Sequence, residues 1–410
     1  MYNKIRQLTA GVQEDVIAFA QKIIRTPSTS GNEKAMADAC MEEMVKLGYD
    51  EVFRDGAGNI IGVLKGTGGG RNLMFNSHMD HVDAGDINNW QYQPYEAVID
   101  GGYIHGRAAS DVKGGTASQI YAGAVLKQLG GLKGDVIYTG VVQEEPAEGF
   151  GIQYLCQNTL KEKNLHFDVM ISSEATSMNL FLGHRGRAEL EVTVYGRTAH
   201  GGSPWRGINA VDKAVPVLAG IQKINESLPE HDFLGKATLA LTNIACSPGR
   251  LSIIPDVCTL YLDRRLLPGE TVQHAIGPIQ ELIDHLSTGD PEFKAQIQVR
   301  KSRSTSYTGY TAELEKLIAA WSVAPDNEYV QACGTALAAI GQQPGFGKWD
   351  FATDASFVTS VMGIPTIGYS PMEEQYAHTP VDRVSIEKII AAVAGNAAIA
   401  CEICNMPAKI

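Results

Sequence analysis

The sequence predicts an α/β protein: a mixed sheet with flanking helices, interrupted by a smaller α+β domain. Three observations lead there. Through residue 182, short and almost wholly apolar runs alternate with helix signals, as expected of strands covered on both faces. From about Gly183 to Lys301 the runs alternate apolar with polar residues, which suits a sheet with one exposed face. After Ser302 the first texture returns. The chain therefore divides into a first part of one domain (1–182), an inserted domain (183–301) and the second part of the first domain (302–410).

The elements follow in order. Ser30-Gly31-Asn32-Glu33 has the form of a capping box, and Gly48 ends the helix it would open. Asn59 to Lys65 and Asn72 to Asn76 read as strands, and Lys113 to Leu129 as a helix. Asp135 to Val142 and Phe167 to Ser172 are covered strands. In the inserted domain, Ala188 to Tyr195, Ala237 to Ala245, Cys258 to Arg264 and Ala295 to Lys301 are strands. Asn209 to Ile224 and Thr271 to Leu286 are helical, so two helices on a four-strand antiparallel sheet fit the order. Gly363 to Tyr369 is a last strand and Ser385 to Cys404 a closing helix.

A net charge of −12 would repel a phosphate polyanion, so nucleic acid is not an expected partner. No apolar run is long enough to span a bilayer, and Met1 to Gln13 has no apolar signal core. Seven scattered cysteines argue against a disulfide framework and for a reducing, cytoplasmic setting. Cys401 and Cys404 have metal or redox spacing, but no second pair completes a zinc site, and buried structural thiols are the expectation.

Five acidic or histidine clusters fall just after expected strands. They are His78-Met79-Asp80, Ser110-Asp111, Gln143-Glu144-Glu145-Pro146, Ser173-Glu174 and Ala377-His378-Thr379. Sites in open α/β sheets form beyond the carboxyl ends of strands. Imidazole nitrogen and carboxylate oxygen suit zinc, manganese or cobalt. Each cluster has an ordinary alternative: an isolated polar histidine, a solvated Glu144-Glu145 pair, a helix cap at Asp111 or Glu174. Their coincidence at strand ends carries more weight than any single spacing.

These segments resemble the M20 family of metallopeptidases and deacylases. The matching stretches are Ser77-His78-Met79-Asp80, Ala109-Ser110-Asp111-Val112-Lys113-Gly114-Gly115, Glu144-Glu145, Ser173-Glu174, Arg197-Thr198-Ala199-His200-Gly201-Gly202, Leu262-Asp263-Arg264-Arg265-Leu266-Leu267-Pro268-Gly269 and Tyr376-Ala377-His378-Thr379-Pro380. They run in order over most of the chain. The resemblance implies a zinc-peptidase-like catalytic domain with an inserted lid and dimerisation domain.

It also implies two divalent metal ions, zinc with cobalt or manganese as alternatives. His78, Asp111 and Glu174 would hold one, and Asp111, Glu145 and His378 the other, with Asp111 bridging and a water or hydroxide between. Asp80 would orient His78. Glu144 would be the general base. His200 would reach the reacting carbonyl oxygen from the lid, often across a dimer. Arg265 would pair with a substrate carboxylate. Two departures fall on this pattern. Ser252 stands where many relatives carry asparagine, which alters the polar contacts on the substrate side, and Asp382 stands where glutamate often follows the last ligand. Arg185 and Arg187 add positive charge at the junction with the inserted domain, which would favour an anionic substrate, but a solvated hinge is the preferred reading of the two.

The expected activity is hydrolysis of a C–N amide bond in a small N-acyl amino acid or related substrate, through a metal-bound hydroxide and a glutamate base. A dipeptidase or aminopeptidase, or an N-carbamoyl amino acid hydrolase, would use the same site. Arg265 favours a deacylase, since nothing evident captures a free amino terminus. Two other classes are a non-catalytic metal-stabilised binding protein, which should have lost Glu144 or a ligand, and a phosphoester hydrolase, which should carry more basic residues at these strand ends.

Overall fold

A computed structural model describes residues 1–146 and 149–408. The chain opens with a helix for which no expectation was set, α1 (Tyr2–Ile24). Its buried Ile5, Val12, Val16, Phe19 and Ile23 recur at helical spacing, but charged neighbours dilute the pattern. Helix α2 (Lys34–Lys46) ends on Gly48, whose φ of +79° is the left-handed turn a glycine adopts without cost. The expected capping box before α2 does not form: the Ser30 hydroxyl and the Glu33 carboxylate make contacts elsewhere, described below.

The first sheet contains β1 (Glu51–Arg54), β2 (Ile60–Leu64), β3 (Leu73–His78), β4 (Val136–Val141), β5 (Val169–Ser172) and β6 (Leu180–His184). Helix α3 (Gly114–Leu129) lies between β3 and β4 in the chain. The second sheet begins with β7 (Gly186–Tyr195), then β8 (Thr238–Ser247), β9 (Val257–Leu266) and β10 (Lys294–Val299). Its helices are α4 (Ala210–Ser227), capped by Asn209, and α5 (Val272–Gly289), opened by a capping box of Thr271 and His274. After a hairpin, β11 (Lys301–Thr305) and β12 (Thr311–Glu315), the short β13 (Leu317–Ile318) returns to β7. Then β14 (Trp321–Ser322), α6 (Glu328–Ala339), β15 (Phe346–Trp349), β16 (Thr366–Gly368) and α7 (Ile386–Cys404) complete the first sheet and its helices.

The first sheet has nine strands, in the order β1-β2-β4-β3-β5-β16-β6-β14, with β15 beside β6. Its centre, β4-β3-β5-β16, is parallel. Those strands are buried along their length, which matches their largely apolar sequence. The second sheet runs β8-β9-β7-β10 with β13 on β7, and all its pairs are antiparallel. Each sheet has its own core. Val192, Leu260 and Leu262 of the second pack with Val217 of α4 and Ile279 of α5.

The chain crosses between the sheets twice, and the crossings lie side by side. β6 leads into β7 through Arg185, and β13 leads back into β14 through Ala319 and Ala320. The pairs Ile318↔Arg187 and Trp321↔His184 hold the two crossings together. Among the described residues, no helix is long and apolar enough to cross a membrane.

Candidate metal centre

Parallel β3, β4 and β5 end at one edge of the first sheet. His78 is the last residue of β3, Glu144 and Glu145 follow β4, and Glu174 follows β5. Asp111 and His378 arrive differently from the expectation that all clusters follow strands. Asp111 lies in an irregular turn, Ala109–Lys113, that opens α3. His378 lies in the long loop between β16 and α7, with a φ of +59°. That left-handed conformation is strained for a histidine, and such strain collects where a site fixes the backbone. A Cβ on Gly115 would stand 2.9 Å from the carbonyl oxygen of Ser173, so glycine lets α3 approach the strand end that carries Glu174.

Asp111 is the centre of the arrangement. Its Oδ1 is 3.0 Å from His78 Nε2, and its Oδ2 is 2.9 Å from His378 Nε2. Glu174 Oε1 is 3.5 Å from His78 Nε2, and Glu145 Oε1 is 3.3 Å from His378 Nε2. Two triads result, His78-Asp111-Glu174 and Asp111-Glu145-His378, each with donor atoms within 4.8 Å of one another. A dication with ligand bonds of ~2.0–2.2 Å collects imidazole nitrogen and carboxylate oxygen over such spacings.

Four carboxyls crowd here against two imidazoles, and their electrostatics reflect it. Burial pushes Glu174 up to about 8, with Asp111 adding repulsion. Burial likewise raises Glu145 and holds Glu144 well above the usual carboxylate range. Burial opposes the Asp111 charge too, but hydrogen bonds from His378 and His78 outweigh it and hold that carboxyl far down. His378 is raised to about 10 by Asp111 and then Glu145. Buried carboxylates in such number call for compensating positive charge beyond two histidines, which fits a cation-holding role.

Two further carboxylates tie the loops together. Asp80 is buried and accepts the backbone N–H groups of Glu144 and Glu145 at 3.0 and 3.2 Å, and the Ser30 hydroxyl at 2.7 Å. Its oxygen lies 3.6 Å from His78 Nδ1, whose nearer partner is the Asp80 backbone carbonyl at 3.0 Å. Asp382, also buried, accepts from the N–H groups of Ala108 and Ser110 and from Arg107, joining the His378 loop to the Asp111 turn. Glu33 accepts from Gly31 N and from Gln143 N beside Glu144. The Lys113 amine donates to the Thr26 carbonyl in the core and stays out of the cluster.

The two triads border a cavity of about 320 Å³ that Glu144 also lines. Arg265 lines it, with Nε and Nη2 held by Asp263 at 2.7 and 3.2 Å. So does Arg187, which corrects its reading as a solvated hinge. Arg187 and Arg265 are register partners on β7 and β9, so one brings the other to the cavity. Sequence spacing gives no sign of this, because it follows from the strand pairing. Phe351 and Glu374 complete parts of the wall and were not anticipated. His200 and Ser252 do not line the cavity. His200 is exposed on the second domain, where its Nδ1 accepts from Gly202 N, and the Ser252 carbonyl accepts from Gly201 N. A larger cavity of about 750 Å³, between α4 and α5, holds none of the candidate side chains.

The chain is similar to known proteins over most of its length. The family model described as Peptidase family M20/M25/M40 matches residues 74–402. An uncharacterised protein of Escherichia coli (strain K12), YgeY, is 34% identical over 391 residues, 94% of each chain. The N-formyl-4-amino-5-aminomethyl-2-methylpyrimidine deformylase of Bacillus subtilis (strain 168) is 24% identical over 406 residues, 92% of each chain. The crystal structure of the Bacillus subtilis YXEP protein, described as a dinuclear metal binding peptidase from the M20 family, superposes with a TM-score of 0.71. Its identity is 16%, and the match covers 96% of this chain and 98% of that one.

Proposed function

The chain belongs to peptidase family M20/M25/M40, hydrolases of amide and peptide bonds, and from that premise we propose that it cleaves the C–N amide bond of a small N-acyl amino acid or related anionic substrate. One observation carries the reading: the two oxygens of Asp111 each face a different histidine, with Glu144 in the same cavity and outside both triads. His78, Asp111 and Glu174 would hold one divalent ion and Asp111, Glu145 and His378 the other, with zinc favoured by the nitrogen and oxygen donors. Two ions held there would supply Lewis acidity and lower the pKa of a bound water.

The remaining steps belong to the chain. The Glu144 carboxylate takes a proton from the attacking water and returns it to the leaving nitrogen. Burial raises its pKa, and two cations bound beside it would act in the opposite direction and favour the ionised form that accepts a proton. Asp80 fixes the backbone of Glu144 while it supports His78. Arg265 and Arg187 receive a substrate carboxylate. His200 approaches the carbonyl oxygen when the lid closes or when a second copy presents its own lid. The edge strand β8, with exposed Leu241 and Ile244, and the exposed Val211 and Val215 of α4 are the surface through which a homodimer would pair. An odd number of cysteines scattered through the chain favours a reducing, cytoplasmic setting.

Glu374 at the cavity rim favours a second reading, because a carboxylate there suits the free amino terminus of a dipeptide. A screen of N-acetyl, N-succinyl and N-carbamoyl amino acids against dipeptides, with zinc, cobalt or manganese added, separates the two. Turnover confined to acylated amino acids supports the deacylase, and turnover confined to dipeptides replaces it with the peptidase.

A further inference from the structure

We propose that Cys246 and Cys258 join in an intrachain disulfide when the protein meets a thiol oxidant, fastening the base of the loop that carries Ser252. The two residues face one another in the register of β8 and β9, and their Sγ atoms are 3.8 Å apart. Opposed residues of an antiparallel pair have Cα atoms ~4.5–5.5 Å apart, inside the ~4.4–6.8 Å that a disulfide spans. Side-chain rotation alone therefore closes the gap.

Access singles out the same pair. β8 is the edge of its sheet, and Cys246, next to the strand's last residue and beyond the Leu241 and Ile244 of the proposed pairing surface, is exposed in the single chain, while Cys258 lies beside it in the core of the second domain. Cys40, Cys156, Cys333, Cys401 and Cys404 are all buried. An oxidant reaches Cys246, and Cys258 is the thiol within reach of the product.

With a peroxide, the Cys246 sulfur takes one oxygen and becomes a sulfenic acid, while the peroxide leaves as water or an alcohol. Cys258 Sγ then attacks that sulfur, the S–O bond breaks, and a second water carries off the hydroxyl and the thiol proton. With a small-molecule disulfide, Cys246 first forms a mixed disulfide and releases one small thiol. Attack by Cys258 then releases the second. Either way two electrons and two protons leave the pair, and the oxidant accepts them.

The new bond would close a ring around residues 247–257. That loop hydrogen-bonds back to the turn bearing His200: Gly201 N donates to the Ser252 carbonyl at 2.8 Å, and Ile254 N donates to the Ala199 carbonyl at 2.9 Å. His200 and Ile253 form a bridge between them. Oxidation thus narrows the excursions of the loop that holds this turn. None of this depends on the reaction proposed for the metal centre.

The test uses the full chain, treated with hydrogen peroxide or oxidised glutathione and then denatured in acid and alkylated. Alkylatable thiols should fall from seven to five, with one disulfide-linked pair of peptides joining Cys246 to Cys258. Trypsin offers a readout of the loop, because exposed Arg250 lies between the two cysteines. Cleavage there should slow several-fold after oxidation, and the nicked halves should part only on reduction. Dithiothreitol should reverse both effects, and Cys246→Ser should abolish them. Seven remaining thiols would overturn the proposal. So would a linkage between two copies, or a Cys246 that ends as sulfinic acid with Cys258 still free.

Discussion

Asp80 accepts the backbone N–H of Glu144 at 3.0 Å. The same buried carboxylate accepts from Glu145 N and from Ser30, and stands 3.6 Å from His78 Nδ1. It fastens the end of β3 to the turn after β4, the two segments that carry a triad histidine, a triad glutamate and the candidate base. Asp80→Asn keeps the size and removes the charge and one acceptor. Activity should fall about 10–100-fold, mostly in kcat, with the fold intact by circular dichroism. Unchanged kinetics would remove the positioning role.

Glu144 stands outside both triads, so it can be removed without taking a ligand away. Glu144→Gln should lower kcat by roughly 10²–10⁴-fold while metal content stays at the wild-type value. Full activity with full metal content would mean that another group moves the proton.

Arg187 and Arg265 should act on the substrate's charge. Replacing either with Met should cost about 1.5–3 kcal/mol in kcat/KM on a carboxylate-bearing substrate. The amidated form of the same substrate should be affected far less. Equal losses on both forms would point to a structural effect at the crossing between the sheets.

His184 makes a prediction about pH. It is buried at the end of β6, its Nδ1 donates to the Arg185 carbonyl, and its Nε2 accepts from Thr353 N. Burial depresses its pKa to about 4. The folded form therefore keeps a neutral ring that the unfolded chain protonates near pH 6.5. Its contribution is fully present above about pH 6.5 and is lost as pH falls toward 4, at most about 3 kcal/mol. Ring resonances should stay those of neutral imidazole at pH 5.5. An imidazolium at that pH in the folded protein would contradict it.

What the sequence made legible follows from how each residue is held. His78, Glu145 and Glu174 could be read because they end apolar runs that become parallel strands of one sheet. Asp111 and His378 do not, since one opens a helix and the other sits in a long loop. Their place came from the motif resemblance. Arg187 reads as a hinge in preference to an anion-binding residue, because its position depends on pairing with Arg265, a contact between distant segments. Ser30 reads as part of a capping box and Asp382 only as a departure from the family pattern for the same reason, as their partners lie far along the chain. His200 was legible as a residue of the lid, but its distance from the cavity depends on how two domains sit, which no local pattern encodes.

Metal stoichiometry tests the central claim most directly, because both triads share Asp111. Purified protein reconstituted with zinc and dialysed should retain two ions per chain by elemental analysis. Asp111→Ala should lose both, while Glu174→Ala and Glu145→Ala should each weaken one. Less than one retained ion in the wild type, or two retained in Asp111→Ala, would contradict a dinuclear centre built on Asp111.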